Sequence, residues 1–559
     1  MTKIRGTTHK CRKFDDILVY LGEFGTYQKC CYYLLCLMAI LPACHAFAQV
    51  FLAAETDHWC HVPEFNEVKC SLNNSVPFCQ DMMKNLSIPL EESSDQCGDG
   101  LVYSNCERYE NMTYTNDTIE CDHGWIYDRS QYKSSIFQEF DLVCGRYYLG
   151  ALSSSAHMAG LFIGSVGFGG LSDRIGRLPA LMVTALCMTI SGTACAFSPN
   201  IQAYSIFRLF VGASQMGMFM VTFVLATELV GPSKRVFAGA VIEFYFSFGY
   251  MLLAFLAYFI RYWWILQLCL SLPASIFLIY WWLIPESPRW LISVGKTEKA
   301  AAIIRECAEV NRVTVPNSVY EELNEYTGDL KQNSGSFLDL LRLPNMRMKS
   351  LNLFYNWFTI SLVYYGLSLN TSNLGGNDYL NAFLSGAVEI PAYTLSIFLP
   401  ETRFGRRWSQ SSTLILAGVA CILTLLAPVC KMQWIGITLA MIGKFSVSAA
   451  FAIVYIFSAE IYPTPVRTIG LGLSSMCARI GGILAPQMIL IKTLWEPLPI
   501  IIFGATSILA GLVTLLLPET RNQKLPETLE EGELFGTAYA KLSVDDGEKK
   551  DQTVLEATV

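Results

Sequence analysis

The chain has 559 residues, 52% of them hydrophobic and only 16% charged, which excludes an ordinary soluble globular protein. Its net charge of −7 is carried mostly by hydrophilic segments and offers no basic groove, so no nucleic-acid partner is expected. Apolar runs of about 20 residues, enough to cross a hydrocarbon core about 30 Å thick, recur along the whole length and imply a polytopic protein in contact with lipid.

About twelve such runs are predicted, near 31–53, 147–170, 178–198, 201–229, 236–260, 263–284, 348–369, 378–400, 409–429, 434–458, 466–491 and 496–517. Lys3, Arg5, Lys10, Arg12 and Lys13 precede the first without a cleavable signal, so residues 1–30 are expected in the cytoplasm. The first run carries His45 and Gln49 among apolar neighbours. A hydrophilic stretch over 54–146 follows, with seven cysteines (Cys60, Cys70, Cys79, Cys97, Cys106, Cys121 and Cys144) and sequons at Asn73, Asn85, Asn111 and Asn116. Cysteines clustered beside sequons imply an extracellular, glycosylated, disulfide-linked loop. The odd count points to Cys144, next to the membrane, as the unpaired thiol. No Cys-x-x-Cys pair suggests a metal, and neither metal nor cofactor is expected.

Gly169-Gly170-Leu171-Ser172-Asp173-Arg174-Ile175-Gly176-Arg177 lies between the next two runs. Asp173, Arg174 and Arg177 are placed to pair across the inner ends of adjacent helices. A weaker copy, Thr402-Arg403-Phe404-Gly405-Arg406-Arg407, appears about 230 residues later, and Glu228…Arg235 and Pro285-Glu286 have counterparts in Glu460…Arg467 and Pro518-Glu519. The expected fold is therefore all-α, with twelve transmembrane helices in two six-helix repeats and a large disulfide-rich extracellular loop. One half covers 31–284 and the other 348–517. A cytoplasmic linker at 285–347 has helical periodicity in TEKAAAIIRECAEVN and SVYEELNEY. The polar tail at 518–559 is also expected in the cytoplasm, its last 40 residues disordered. Its final Ala557-Thr558-Val559 is a weak signal for a scaffold-protein partner.

Two basic residues stand inside apolar runs. Lys444 interrupts the tenth and Arg479 the eleventh, where a charge costs at least a few kcal/mol unless it faces a cavity or an internal partner. Such residues mark a substrate pathway or a structural ion pair. An enzyme is not expected: of six histidines only His45 and His157 lie in spans, and no nucleophile and base are grouped.

The 169–177 loop resembles the motif between the second and third helices of the major facilitator superfamily. YFIRYWW at 258–264, IPESPRWLISVGK at 284–296, YYGLSLNTSNL at 364–374, VEIPAY at 388–393, MIGKF at 441–445 and AEIYPTPVR at 459–467 resemble the organic-ion transporter family, most nearly its carnitine and zwitterion branch. The resemblance spans about 20–530 and implies a plasma-membrane, alternating-access transporter of small organic cations or zwitterions such as carnitine, another betaine or ergothioneine. It makes position 479 the substrate discriminator, since cation carriers of the family hold an acid there. A guanidinium at that depth attracts a carboxylate and can hold it bidentately, with Lys444 as a second positive charge.

The seventh run offers Trp357, Phe358, Tyr364 and Tyr365; Trp357 and Tyr364, seven apart on nearly one helix face, are candidates to cage a quaternary ammonium, with Tyr250, Phe451 and Tyr455 completing the set. Gln215 matches a polar residue of the carnitine branch. Glu389 and Glu460 match family acids and are grouped with the gate or coupling residues, Glu460 being expected to form a gate pair with Arg467. Two departures stand out. Pro42-Ala43 replaces Pro-Asn and removes an oxygen from a sodium site, although sodium is the coupling ion the branch implies. Glu243 stands where a small neutral residue is expected and is either protonated, paired with Lys444 or Arg479, or a ligand for the substrate's ammonium. The alternatives are an organic anion exchanger using Arg479 and Lys444 together, and a polyspecific organic cation uniporter using Glu243.

Overall fold

The computed structural model describes residues 14–62, 84–92, 101–110, 117–316, 320, 337–426, 433–523 and 525–537. Twelve long helical stretches follow one another: α1 Thr26–Leu52, α2 Cys144–Ile175, α3 Arg177–Ala196, α4 Ile201–Leu229, α5 Pro232–Phe259, α6 Trp263–Leu283, α7 Pro344–Leu369, α8 Asp378–Glu401, α9 Gly405–Thr424, α10 Gln433–Ile461, α11 Thr464–Thr493 and α12 Leu498–Thr514. Nine of these, among the described residues, are long and apolar enough to cross a membrane. The other three are α7, which carries Lys349, Asn352 and Asn356, α9, which starts with two arginines, and α12, which is 17 residues long. The polar groups of α7 turn inward: Asn352 donates to the Val513 carbonyl at 2.6 Å, and Thr514 donates to Asn356 at 2.8 Å. Lipid contact is thus avoided where hydropathy alone is weak.

The two halves repeat one packing scheme. In the first, α1 packs on α5, α2 and α3 on α4, and α3 on α6. In the second, α7 packs on α11, α8 and α9 on α10, and α9 on α12. The halves meet through α2 against α11 and α5 against α8, which the same internal symmetry relates. Glycines permit the closest approaches. A Cβ at Gly160 would stand 2.0 Å from the Leu209 carbonyl oxygen, and one at Gly481 2.3 Å from that of Phe358, so α2–α4 and α11–α7 contact backbone to backbone.

Between α1 and α2 lie three small antiparallel ribbons, which the sequence reading did not anticipate. Strand β1 His58–Cys60 pairs with β6 Trp125–Tyr127, β2 Leu90–Glu92 with β3 Leu101–Tyr103, and β4 Glu107–Tyr109 with β5 Thr118–Glu120. Disulfides Cys60–Cys121 and Cys106–Cys144 staple the β1–β6 and β4–β5 ribbons. Cys144 is therefore bonded, which corrects its expected role as the free thiol: it opens the turn into α2 and lies against the β4–β5 ribbon rather than in lipid. Cys70, Cys79, Cys97, Asn73, Asn111 and Asn116 lie outside the described residues. Asn85 is exposed and accepts a hydrogen bond from Tyr103.

At the opposite face, the linker helix Thr297–Asn311 packs Ile304 and Cys307 with Trp290 and Leu291 and with Ile17 and Leu18 of the short helix Phe14–Tyr20. The tail departs from the disorder expected of it. A helix at Leu529–Leu534 docks under α7, where Glu533 accepts the backbone N–H groups of Asn345 and Met346 at 2.9 and 2.8 Å. Lys349 donates to the carbonyls of Gly532 and Phe535. A carboxylate at a helix N-terminus and a lysine on open carbonyls are enough to hold a polar segment. Most of the linker's SVYEELNEY and the final Ala557-Thr558-Val559 lie outside the described residues.

Candidate functional site

The buried charges converge where the halves meet. Lys444 of α10 ion-pairs with Glu389 of α8 at 2.8 Å, both almost fully buried. The same carboxylate accepts from the Tyr364 hydroxyl of α7 at 2.6 Å and from Ser247 of α5 at 3.2 Å, so a group of the second half is held by one of the first. Lys444 also donates to Ser368 at 2.5 Å and stands 3.3 Å from the centre of the Tyr364 ring. Every charge and donor of this knot is satisfied, as a buried pair requires.

Three sequence expectations change here. Lys444 is not a spare positive charge for the substrate, because Glu389 neutralises it. The face of Tyr364 is occupied by the protein's own ammonium in this conformation. Glu389, grouped by sequence with gate or coupling residues, lies at the centre of the bundle rather than at an end.

Beside this knot lies an open region. Tyr455 of α10 is 44% exposed although deep among the helices, and Glu243 of α5 is partly exposed at similar depth, so both face an internal cavity. Arg479 of α11 is 9% exposed and its Nε closes no hydrogen bond. The charges of Arg479 and Glu243 both act on Tyr365 and Tyr455, which places the guanidinium and the carboxylate around the same two rings. Tyr455 packs edge-on to Trp357 at 4.4 Å, and Phe451 lies between Tyr364 and Tyr455 at 5.4 and 6.0 Å. Trp357 itself is closed off, 1% exposed, with its indole N–H on Ser458 at 2.9 Å. It supports the aromatic wall, and Tyr455 presents it. Gln215 is not in this set: it lies in the first half, near His157 and Arg208.

Sequence reasoning named Tyr365 among the aromatics of α7 and missed Ser247 and Arg208. Ser247 carries no sequence signal beyond its neighbours. Arg208 did: it interrupts an apolar run, the criterion that singled out Arg479.

The two faces of the bundle are held differently. On the loop-bearing face, contacts cross between halves: Gln131 and Tyr132 donate to Asp378 at 3.0 and 2.8 Å, Ser155 of α2 to the Ile483 carbonyl of α11 at 2.8 Å, and Lys492 pairs with Glu55 at 3.3 Å. On the linker face the networks stay within each half. Arg177 pairs with Asp173 at 2.7 Å and Glu228 at 3.3 Å, while Glu286 accepts the first N–H groups of α3. Arg406 pairs with Glu401 at 2.6 Å and Glu460 at 3.3 Å, while Glu519 accepts the first N–H groups of α9.

The expected Glu460–Arg467 pair is thus corrected. The loop copy at the start of α9 brings Arg406 to Glu460, whereas Arg467 donates to the Tyr462 carbonyl at 3.2 Å. Arg174 is exposed and belongs to neither network. Among the described residues no ion pair of the linker face joins the halves, so the molecule is closed on the loop side.

The family profile described as "Sugar (and other) transporter" matches residues 111–531. The chain is 45% identical over 534 residues to the organic cation transporter protein of Drosophila melanogaster, covering 94% of this chain and 95% of that protein. It is 36% identical over 541 residues to human organic cation/carnitine transporter 2, covering 93% and 94%. With the beta-alanine transporter of Drosophila melanogaster it shares 35% identity over 582 residues, covering 97% and 92%. In fold it is similar to the xylose transporter XylE from E. coli in a partially occluded inward-open conformation, with a TM-score of 0.60, 16% identity, and coverage of 89% of this chain and all of that one. The repeat, the crossing geometry and these relatives agree: the chain is not an enzyme and belongs to the organic cation and carnitine transporter family of the major facilitator superfamily.

Proposed function

We propose that the chain is a plasma-membrane transporter, both termini cytoplasmic, that moves a small organic cation carrying a carboxylate, such as carnitine or another betaine, by alternating access. The observation that carries this reading is the shared environment of Arg479 and Glu243 around Tyr365 and Tyr455. A guanidinium at one wall suits a carboxylate, and a carboxylate plus an open tyrosine face suit an ammonium. A zwitterion satisfies both ends at once only when the halves close on it, which favours the occluded state. The contacts tying the loop-bearing face support a starting point open to the cytoplasm. Carnitine and beta-alanine, named in two relatives, are zwitterions of this kind.

A second reading, a polyspecific organic cation carrier, is favoured by Glu243 and by the 45%-identical fly relative. An anion exchanger using Lys444 is disfavoured, because Glu389 already neutralises that residue. Uptake of labelled carnitine, beta-alanine, ergothioneine and tetraethylammonium, with and without sodium, separates the two and tests sodium coupling. Arg479→Ala is expected to lower carnitine uptake at least about tenfold at equal surface expression, the equivalent of about 1.4 kcal/mol. Unchanged uptake would reject the zwitterion assignment. Tetraethylammonium flux dependent on Glu243 alone would install the second reading.

A further inference from the structure

The first half buries a positive charge that no described protein group neutralises. Arg208 of α4 has no solvent exposure, and none of its three guanidinium nitrogens closes a hydrogen bond. Among the described residues no carboxylate pairs with it. Its charge reaches His45 of α1, His157 of α2 and Tyr204 one turn earlier on α4. His45 and His157 are buried to the same degree. His157 Nδ1 sits 3.3 Å from the Arg208 carbonyl, its Nε2 is unpartnered, and neither ring nitrogen of His45 closes a hydrogen bond of good geometry. Three side chains from three helices thus meet, with the Arg208 guanidinium and the His45 ring open and the His157 N–H facing a carbonyl.

A column of polar groups connects this place to the loop-bearing face. Gln49 is one turn beyond His45 on α1, and Tyr204 one turn before Arg208 on α4. Gln49 joins the two rows, accepting from the Tyr204 hydroxyl at 3.0 Å and donating to Ser153 at 3.0 Å. Gln49 also lines the cleft at the mouth of the bundle with Glu55, Tyr147 and Ser154.

We propose that a compact monoanion, chloride in the cell, binds between Arg208, His157 and His45 and serves as the counter-ion of the first half. The guanidinium supplies a permanent positive charge and its N–H donors, and the neutral His45 ring can turn its single N–H toward the ion, while His157, whose Nδ1–H faces the Arg208 carbonyl, walls the site. Complete burial limits the guest to one small enough to shed its water. Oxyanions as large as gluconate do not fit that requirement. This site is independent of Arg479 and stands or falls apart from the substrate assignment.

The test uses the purified full-length protein in detergent. Radiolabelled chloride is expected to bind saturably at one site per chain, and chloride or bromide, but not gluconate at equal ionic strength, is expected to raise the melting temperature. Arg208→Met should abolish both effects and Arg479→Met neither. Should Arg208→Met not fold, His45→Phe is expected to weaken chloride binding about tenfold, which keeps the question open to measurement. Absence of saturable binding in the wild-type chain, or binding that Arg208→Met and His45→Phe leave unchanged, overturns the proposal. Displacement of labelled chloride by carnitine in the Arg479→Met protein would assign the anion to the carboxylate of the cargo and overturn the free-halide source.

Discussion

Two regions of this molecule each hold a cation and a carboxylate 2.8 Å apart. At the centre of the bundle Lys444 and Glu389 are 2% and 0% exposed, while in the disulfide-linked loop Arg108 and Asp122 are 8% and 46% exposed. The distance is the same and the physics is not. In water the attraction is screened and an exposed pair contributes little. Inside the bundle each charge has lost its hydration, and the pair persists only because Tyr364, Ser247 and Ser368 complete its hydrogen bonds. The central pair is therefore an all-or-none element, and the loop pair a local brace. The cavity wall shows a third case: Arg479 keeps Tyr365 as a partner but its Nε closes no hydrogen bond, and Glu243 is partly exposed, so neither is sealed by a complete shell.

The largest expected effect breaks the central pair. Glu389→Gln leaves the Lys444 ammonium buried without a counter-ion, and about 3–5 kcal/mol of stability should be lost. Thermal unfolding of the purified protein measures it. The double variant Glu389→Gln with Lys444→Met should recover much of the loss, since removing both charges removes the penalty that one alone creates. If the single variant melts like wild type, the central pair is no more than a surface pair moved inward.

An intermediate case lies on the linker face, where Arg177 and Glu228 are both 13% exposed and Arg177 keeps Asp173 as a second partner. Glu228→Gln is expected to cost about 1.5 kcal/mol, the low end for a hydrogen bond to a charged group. Glu460→Gln, with Arg406 keeping Glu401, should cost the same. A large inequality between the two would show that the halves do not share this device. Both should also alter the rate of opening at that face, read as a change in exchange flux at unchanged substrate affinity.

Much of this architecture was legible in the amino acids, and the reasons are physical. The hydrocarbon core imposes a run length on every span, and the repeated glycine–acid–arginine loop exposes the internal duplication. Arg479 and Lys444 were visible as charges where lipid forbids them. What a single chain cannot display is which charge answers which. Lys444 meets Glu389, from another helix and 55 positions earlier in the chain. Arg406, carried by the loop copy, takes the place expected of Arg467. Arg208 meets the same criterion as Arg479 but lies in none of the motifs that carry the family resemblance. The ribbons of the loop were illegible for a different reason: three-residue strands are held by disulfides rather than by an alternating apolar face.

The smallest expected effect sharpens the comparison at its solvent end. Hydrogen bonds from Arg108 at 2.8 and 2.9 Å hold the Asp122 carboxyl down, from its ordinary 3.8 to about 2. A carboxylate whose folded value is depressed stabilises the fold above its unfolded value, and that contribution fades as the pH falls through the folded one. Protection of the β4–β5 amides against hydrogen exchange, corrected for the intrinsic rate, should stay level down to about pH 4 and decline toward about pH 2. In Asp122→Asn it should be lower at neutral pH and lose that decline. The decline is expected to be slight even in the wild-type chain, because the Cys60–Cys121 and Cys106–Cys144 bridges keep the ribbon closed when the pair is gone. A steep acid transition confined to this loop would mean that an exposed pair carries as much of the fold as the buried one, and that burial is not what separates the two regions.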